Sequence, residues 1–164
     1  MKKATRKLLI GLACAALCLV LLLIASPFLL YGGIHLANDR IAAEIEEELR
    51  GIPLPEKTEL ADSLSVAGKL SGNGNGMQYY GMLLLSSELE QEELEAYYRT
   101  YSKATSVREQ KTPYIFDDEY FRIRFSDLQP GKRYFMVWSM EANPSGWTET
   151  DWVSMVLDFD IRGH

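Results

Sequence analysis

The chain has 164 residues, with 17 Lys and Arg against 23 Asp and Glu, for a formal net charge of −6. Lys2, Lys3, Arg6 and Lys7 precede an apolar run, so the remainder carries 13 basic against 23 acidic residues, or −10. That acidity excludes nucleic acid as the expected partner, and both cysteines, Cys14 and Cys18, fall inside the apolar run, which excludes a disulfide framework for the rest.

From Leu8 to Leu30 the sequence runs 23 residues without a charge. A helix of that length, rising ~1.5 Å per residue, covers the ~30 Å hydrocarbon core with modest tilt. The rival is a cleaved signal peptide, whose apolar stretch spans about 7–15 residues and ends in small residues at −3 and −1. Here the best cut, after Ala25, leaves Leu23 at −3 and Pro27 just beyond it. A lipoprotein cut before Cys14 or Cys18 leaves too little apolar chain ahead of it. Ser26-Pro27 suggests a kink, and Tyr31-Gly32-Gly33 reads as the outer end, with Tyr31 at headgroup level. Between Tyr31 and Arg50 only Arg40 and Arg50 carry a full positive charge, beside Asp39, Glu44, Glu46, Glu47 and Glu48. The positive-inside rule then keeps the N-terminus in the cytoplasm. The expected organisation is a cytoplasmic basic flank over 1–7, a transmembrane helix over 8–31, an amphipathic stalk helix with a proline linker over 32–55, and an extracytoplasmic α+β domain over 56–164. The partner through Leu8 to Leu30 is the lipid bilayer of a cell membrane.

Ile34 to Arg50 has a helical pattern, with Ala37, Ile41, Ile45 and Leu49 recurring every four residues. It reads as a stalk or dimerising helix, or as a short amphipathic helix lying against its own domain or the membrane. Gly51 ends it, and Pro53 and Pro55 stiffen the linker. Leu60 to Lys69 follows as a strand. The glycine-rich turn from Ser71 to Gly76 leads into Met77 to Leu85, apolar on both parities and so a central strand buried on two faces. Gly81 within it marks a bulge or the close approach of another backbone. Ser87 and Glu90 form an S-x-x-E capping box for a helix whose Leu94, Tyr97, Tyr98 and Tyr101 share one face.

Pro53 to Tyr101, with its GNGNGMQYYG turn-strand and its SELEQEELEAYY helix start, resembles small single-pass membrane proteins of Gram-positive bacteria. The resemblance implies a membrane-anchored bacterial envelope protein and brings no activity with it.

Val107 to Phe116 supplies one or two short strands around Pro113. Asp117-Asp118-Glu119 is a turn. In Tyr120 to Phe125, Phe121, Ile123 and Phe125 face inward while Arg122 and Arg124 face out. Gln129-Pro130-Gly131-Lys132 suits a type II turn. Arg133 to Met140 returns as a strand, Glu141 to Asp151 is a loop, and Trp152 to Ile161 reads as a closing strand. The fold expected is α+β, with one antiparallel sheet of about five to seven strands packed by one main helix, in the order ββαβββ(β).

The domain itself contains neither Cys nor an internal His, since His35 lies at the membrane exit and His164 beyond the closing strand. That removes Ser-His-Asp and Cys-His catalysis and the usual zinc ligands, and no cofactor is expected. Asp117, Asp118, Glu119, Asp158 and Asp160 are carboxylates most simply read as solvent-facing. The glycine-rich turn lacks the Lys-Ser/Thr ending and following helix of a phosphate loop. The candidate partner-binding residues are Phe135 and Val137, on a strand apolar on both parities whose second face is either self-covered or open to a partner. Trp147 joins them in the long loop, as do Arg122 and Arg124, which with Lys132 and Arg133 gather near one hairpin. The leading function is a membrane-tethered interaction or sensor module recognising an envelope protein or ligand. The alternatives are a membrane-complex subunit acting through its transmembrane helix, where Gly11 and Ala15 form a small-xxx-small pair, and a carboxylate-dependent hydrolase of envelope glycans.

Overall fold

A computed structural model of the protein describes residues 3–70, 76–102, 104–117, 122–141 and 152–162. The first element, α1 (Lys3–Gly51), is one unbroken helix of 49 residues that joins the expected span to the expected stalk. Pro27 lies inside it and has no N–H to donate to the carbonyl of Leu23, four residues earlier. Ser26 Oγ donates to that carbonyl instead, at 3.0 Å, so the proline leaves no unsatisfied acceptor in an apolar stretch. Gly32 and Gly33 are likewise helical.

The two ends of α1 have different surroundings. Its most apolar 18-residue window is unburied, and it is the one helix among the described residues long and apolar enough to cross a membrane by length and composition. Further along, Asn38, Ala42, Ile45 and Leu49 are buried against the folded domain. The buried stripe differs from the expected four-residue repeat, and Ala37 is exposed. Four residues turn a helix of 3.6 residues per turn by about 400°, so a strict repeat of four drifts off one face, whereas steps of four, three and four stay on it.

The domain is built on a four-stranded antiparallel sheet in the order β1-β2-β6-β3. Its strands are β1 (Thr58–Gly68), β2 (Gln78–Ser87), β3 (Ser106–Glu109) and β6 (Tyr134–Glu141). Between β3 and β6, β4 (Tyr114–Asp117) and β5 (Arg122–Arg124) form a separate two-stranded hairpin. The helix α2 (Gln91–Arg99) follows β2. Its cap lies one turn later than expected. Glu90 is the N-cap, its N–H donates to Glu93 Oε2 at 2.8 Å, and Ser87 Oγ serves the preceding turn by accepting from Leu89 N. Gly131 has a φ of +83°, as position i+2 of a type II turn requires.

β2 and β6 are central and covered on both faces. The register pairs Leu83 with Val137 and Leu85 with Phe135, and on one face these meet Leu49 of α1 and Leu94 and Tyr98 of α2. The opposite parity, Tyr80, Met82, Leu84, Tyr134 and Met136, is covered by Phe125, with Ile115, Phe116 and Leu128 packed around it. Gly81 sits where α1 crosses β2, and a Cβ there would lie 2.6 Å from the carbonyl carbon of Ile45. The close backbone approach expected at this glycine is thus that of α1.

Trp152 to Ile161 does not form a strand. Residues Trp152–Leu157 are a short helix, α3, and the chain then turns back against α1. The sheet expected to contain every strand is divided, because the β4–β5 hairpin packs across the main sheet rather than extending it.

Candidate functional site

Among the described residues a dense polar cluster lies where α1 leaves its apolar stretch. The helix places His35, Asn38 and Asp39 along one side, one turn apart. β2 contributes Tyr79, and the segment after α3 contributes Asp160 and Arg162. Asp160 is fully buried, and Oδ2 accepts from Asn38 Nδ2 at 3.0 Å and from Arg162 Nη2 at 2.6 Å, with His35 Nδ1 at 3.1 Å. Arg162 Nε donates to Oδ1 at 3.0 Å, so the guanidinium grips the carboxylate with two nitrogens. Its Nη1 also reaches Asp39 Oδ1 at 2.6 Å. Buried Asn38 has both ends of its amide satisfied. Its oxygen accepts from Tyr79 Oη at 2.9 Å, and its nitrogen also donates to the Leu157 carbonyl at 3.1 Å. Lys69 N donates to the Arg162 carbonyl at 2.9 Å, which ties β1 to the same segment.

Burial alone would raise the Asp160 pKa, but the bonds from Arg162 and Asn38 outweigh it and hold it at about 2. Burial, and then the charges of Asp158 and Asp160, push the Tyr79 hydroxyl up to about 12, so it remains a neutral donor. The carboxylate is saturated with donors and offers no lone pair to a substrate. The chemistry of the cluster is clamping: it fastens the segment after α3 to the turn of α1 that follows its apolar stretch. Sequence spacing gave no sign of it, because its residues come from positions 35, 79 and 160, and only the fold brings them together.

Asp158 and Asp160, read from the sequence as solvent-facing, both turn inward. Asp158 Oδ1 accepts from Met77 N at 2.9 Å. Among the described residues no three His, Cys, Asp or Glu side chains converge to hold a metal ion.

Phe135 and Val137 are fully buried between the sheet and helices α1 and α2. They belong to the core, and the face they line is closed by the chain itself. Arg122 and Arg124 lie on β5 with their guanidiniums 5.5 and 5.4 Å from the ring of Tyr114 across the hairpin. Arg124 also pairs with Asp127. Lys132 and Arg133 stand at another edge, where Arg133 grips Glu90 through two bonds of 2.8 and 2.9 Å. The four basic residues thus have different partners, Tyr114 and Asp127 for Arg122 and Arg124, and Glu59 and Glu90 for Lys132 and Arg133. Trp147 and the residues from 118 to 121 lie outside those described, so the structure places neither the loop tryptophan nor Phe121.

Among the concave regions lined by described residues are two larger ones. One of about 420 Å³ lies between the end of α1 and the end of α2, lined by Leu49, Ile52, Pro53, Tyr101 and Thr105 among others. The other, about 590 Å³, lies at the start of β1 and is lined by charged residues including Lys57, Glu59, Glu88 and Lys132. The second is mixed in charge, with Lys132 Nζ 3.4 Å from Glu59.

No protein family, curated protein or solved structure matches the chain.

Proposed function

We propose that the protein is a single-pass membrane protein of the bacterial envelope, with its N-terminus in the cytoplasm and its α+β domain outside, acting as a membrane-tethered interaction or sensor module. The observation that carries this reading is the division within α1. One continuous helix exposes its whole apolar window and then, without a break, buries Ala42, Ile45 and Leu49 in the domain core. A core helix of a soluble protein would bury the apolar part, and a cleaved leader would not continue into the core. The cations Lys2, Lys3, Arg6 and Lys7 ahead of the span support the orientation.

The partner surface is assigned to the β4–β5 hairpin, where Arg122 and Arg124 flank the Tyr114 ring and suit an anionic partner in the envelope. Catalysis by carboxylates has less support. A glycan hydrolase needs one acid with a raised pKa, and among the described residues the acids with a resolved shift, Asp62, Glu90 and Asp160, are all lowered. A second reading, a subunit recruited through its transmembrane helix, is favoured by the continuity of α1, which lets a contact inside the bilayer set the orientation of the domain.

Two experiments test these readings. A reporter active only outside the cytoplasm, fused after His164, should be active, and activity of a cytoplasmic reporter there overturns the topology. Crosslinking in native membranes should capture a partner with the wild type and lose it with R122E/R124E. Loss instead on exchanging Leu8 to Leu30 for an unrelated span supports the second reading.

A further inference from the structure

The C-terminal segment carries an apolar face that the fold leaves uncovered. Trp152, Met155 and Val156 lie on α3 at i, i+3 and i+4, one side of the helix, and Phe159 follows in the turn after it. They are 71, 58, 40 and 67% exposed, and Ile161 beyond them is 65% exposed. The opposite side faces inward. Val153 and Leu157 are half-buried, and Asp158 and Asp160 are turned toward β2 and α1. The described charges of this segment are therefore engaged on the inner side, while its large apolar side chains point away from the protein. Large contiguous apolar patches are uncommon on soluble surfaces and mark a contact.

Position identifies the occupant. Through Asp160 and Arg162 the segment is fastened to His35, Asn38 and Asp39 of α1. His35 lies four residues past Tyr31, about 6 Å along a helix axis. Headgroups add roughly 5–7 Å to each side of the ~30 Å hydrocarbon core. The clamp therefore holds the end of α3 at the outer margin of the headgroup layer, beside the point where the apolar helix emerges. We infer that residues 152–161 form a second membrane contact, a short helix and the turn after it lying on the outer leaflet with Trp152, Met155, Val156, Phe159 and Ile161 in lipid. The inference rests on the reading of α1 as a transmembrane helix and extends it. The domain touches the bilayer at two places joined by the buried Asp160 cluster, so its tilt over the membrane is fixed. Trp152 takes the depth that tryptophan favours in membranes, and an amphipathic helix in this layer buries its apolar side about 5–10 Å deep.

The test uses the full chain in vesicles of phosphatidylcholine and phosphatidylglycerol, with and without brominated acyl chains. Three single-cysteine proteins carry a bimane label: C18A, labelled at Cys14 in the span; C14A/C18A/F159C; and C14A/C18A/E56C, at an exposed turn before β1. Phe159 is exposed, so its replacement leaves the core intact. The expected result is quenching at F159C at least about twofold greater than at E56C, as burial in the interface requires. Quenching at Cys14 but no more at F159C than at E56C overturns the inference while leaving the transmembrane helix in place. No quenching at Cys14 overturns the transmembrane reading, and the inference with it. Disulfide crosslinking of the unlabelled F159C protein between two copies, with no quenching of the labelled one, assigns the face to a second copy and also overturns the inference.

Discussion

The backbone of Glu46 passes directly over Gly81, so that a methyl group on Gly81 would collide with the Glu46 nitrogen and stand 2.8 Å from its Cα. Neither partner can yield cheaply, because one is helix backbone and the other the middle of a central strand. Gly81→Ala is therefore expected to lower stability by about 1–3 kcal/mol or more, the usual cost of overpacking. Gly51→Ala, at the end of the same helix with nothing within 4 Å of the added carbon, is the matched control and should change stability little. Denaturant midpoints of the two variants check this, and a Gly81→Ala protein as stable as the wild type would mean that α1 does not pack on β2 as described.

Gly81 also shows how far the sequence could be read. A glycine inside MQYYGMLLL signals close backbone approach whatever element approaches, and the two-faced apolarity of that run placed β2 at the sheet centre. Leu94 and Tyr98, spaced for one helix face, are both fully buried. The reading failed where two periods fit one string. In WVSMVLDFDI, Val153, Met155, Leu157, Phe159 and Ile161 share a strand parity, while Trp152, Met155, Val156 and Phe159 share a helix face. Only the polar residues separate the cases, and Asp158 and Asp160 resemble outward strand alternates until the fold supplies Met77 N, Asn38 and Arg162. The same non-local pairing hid the clamp itself, since Asn38 carries no sign in the sequence that a carboxylate more than a hundred residues later will meet it. Phe135 and Val137 were recognisable as strand residues. Their cover was not, because it comes from α1 as well as α2.

Tyr98 lies at 0% exposure, and among the described residues its hydroxyl has no hydrogen-bond partner. Burial, then neighbouring Tyr97, pushes its pKa up to about 12. A buried hydroxyl without a partner costs about 1–3 kcal/mol of desolvation. Tyr98→Phe keeps the ring and removes that cost, so the variant should be as stable as the wild type or more so. Thermal unfolding measures it, and a loss of stability would show that the hydroxyl is bonded.

Arg122 and Arg124 are exposed on the hairpin, and exposed ion pairs and ring contacts contribute about 0–1 kcal/mol. Arg122→Ala with Arg124→Ala should leave stability within about 1 kcal/mol of the wild type while weakening capture of an anionic partner. Phe135→Ala makes the contrast, since emptying a fully buried aromatic site should cost about 3–5 kcal/mol. Capture and unfolding measured on the same preparations separate a surface role from a core role, and unchanged capture with both arginines removed would dismiss the hairpin as the site.

Asp160 makes the stability of the domain depend on acid. Its pKa is 3.8 in the reference state and about 2 in the fold, a lowered value, so the folded form is favoured by ionisation. The contribution, about 2 kcal/mol, is fully present above pH 4, declines as the pH falls from about 4 to 2, and is gone below that. Other groups face the same carboxylate, namely His35 and Asp39 from α1, Tyr79 from β2, and Asp158 and Arg162 from its own segment. Asp62 and Glu90, also lowered, add to the same acid limb. The readout is therefore the difference between the wild type and Asp160→Asn. At neutral pH the variant removes the buried carboxylate from Arg162, which keeps Asp39 as a partner, and should lose about 1–3 kcal/mol. On acidification the wild type should converge toward the variant as Asp160 itself becomes neutral, narrowing the gap between their unfolding midpoints from pH 4 to pH 2. A gap constant over that range would show that Asp160 is not held ionised by Arg162 and Asn38.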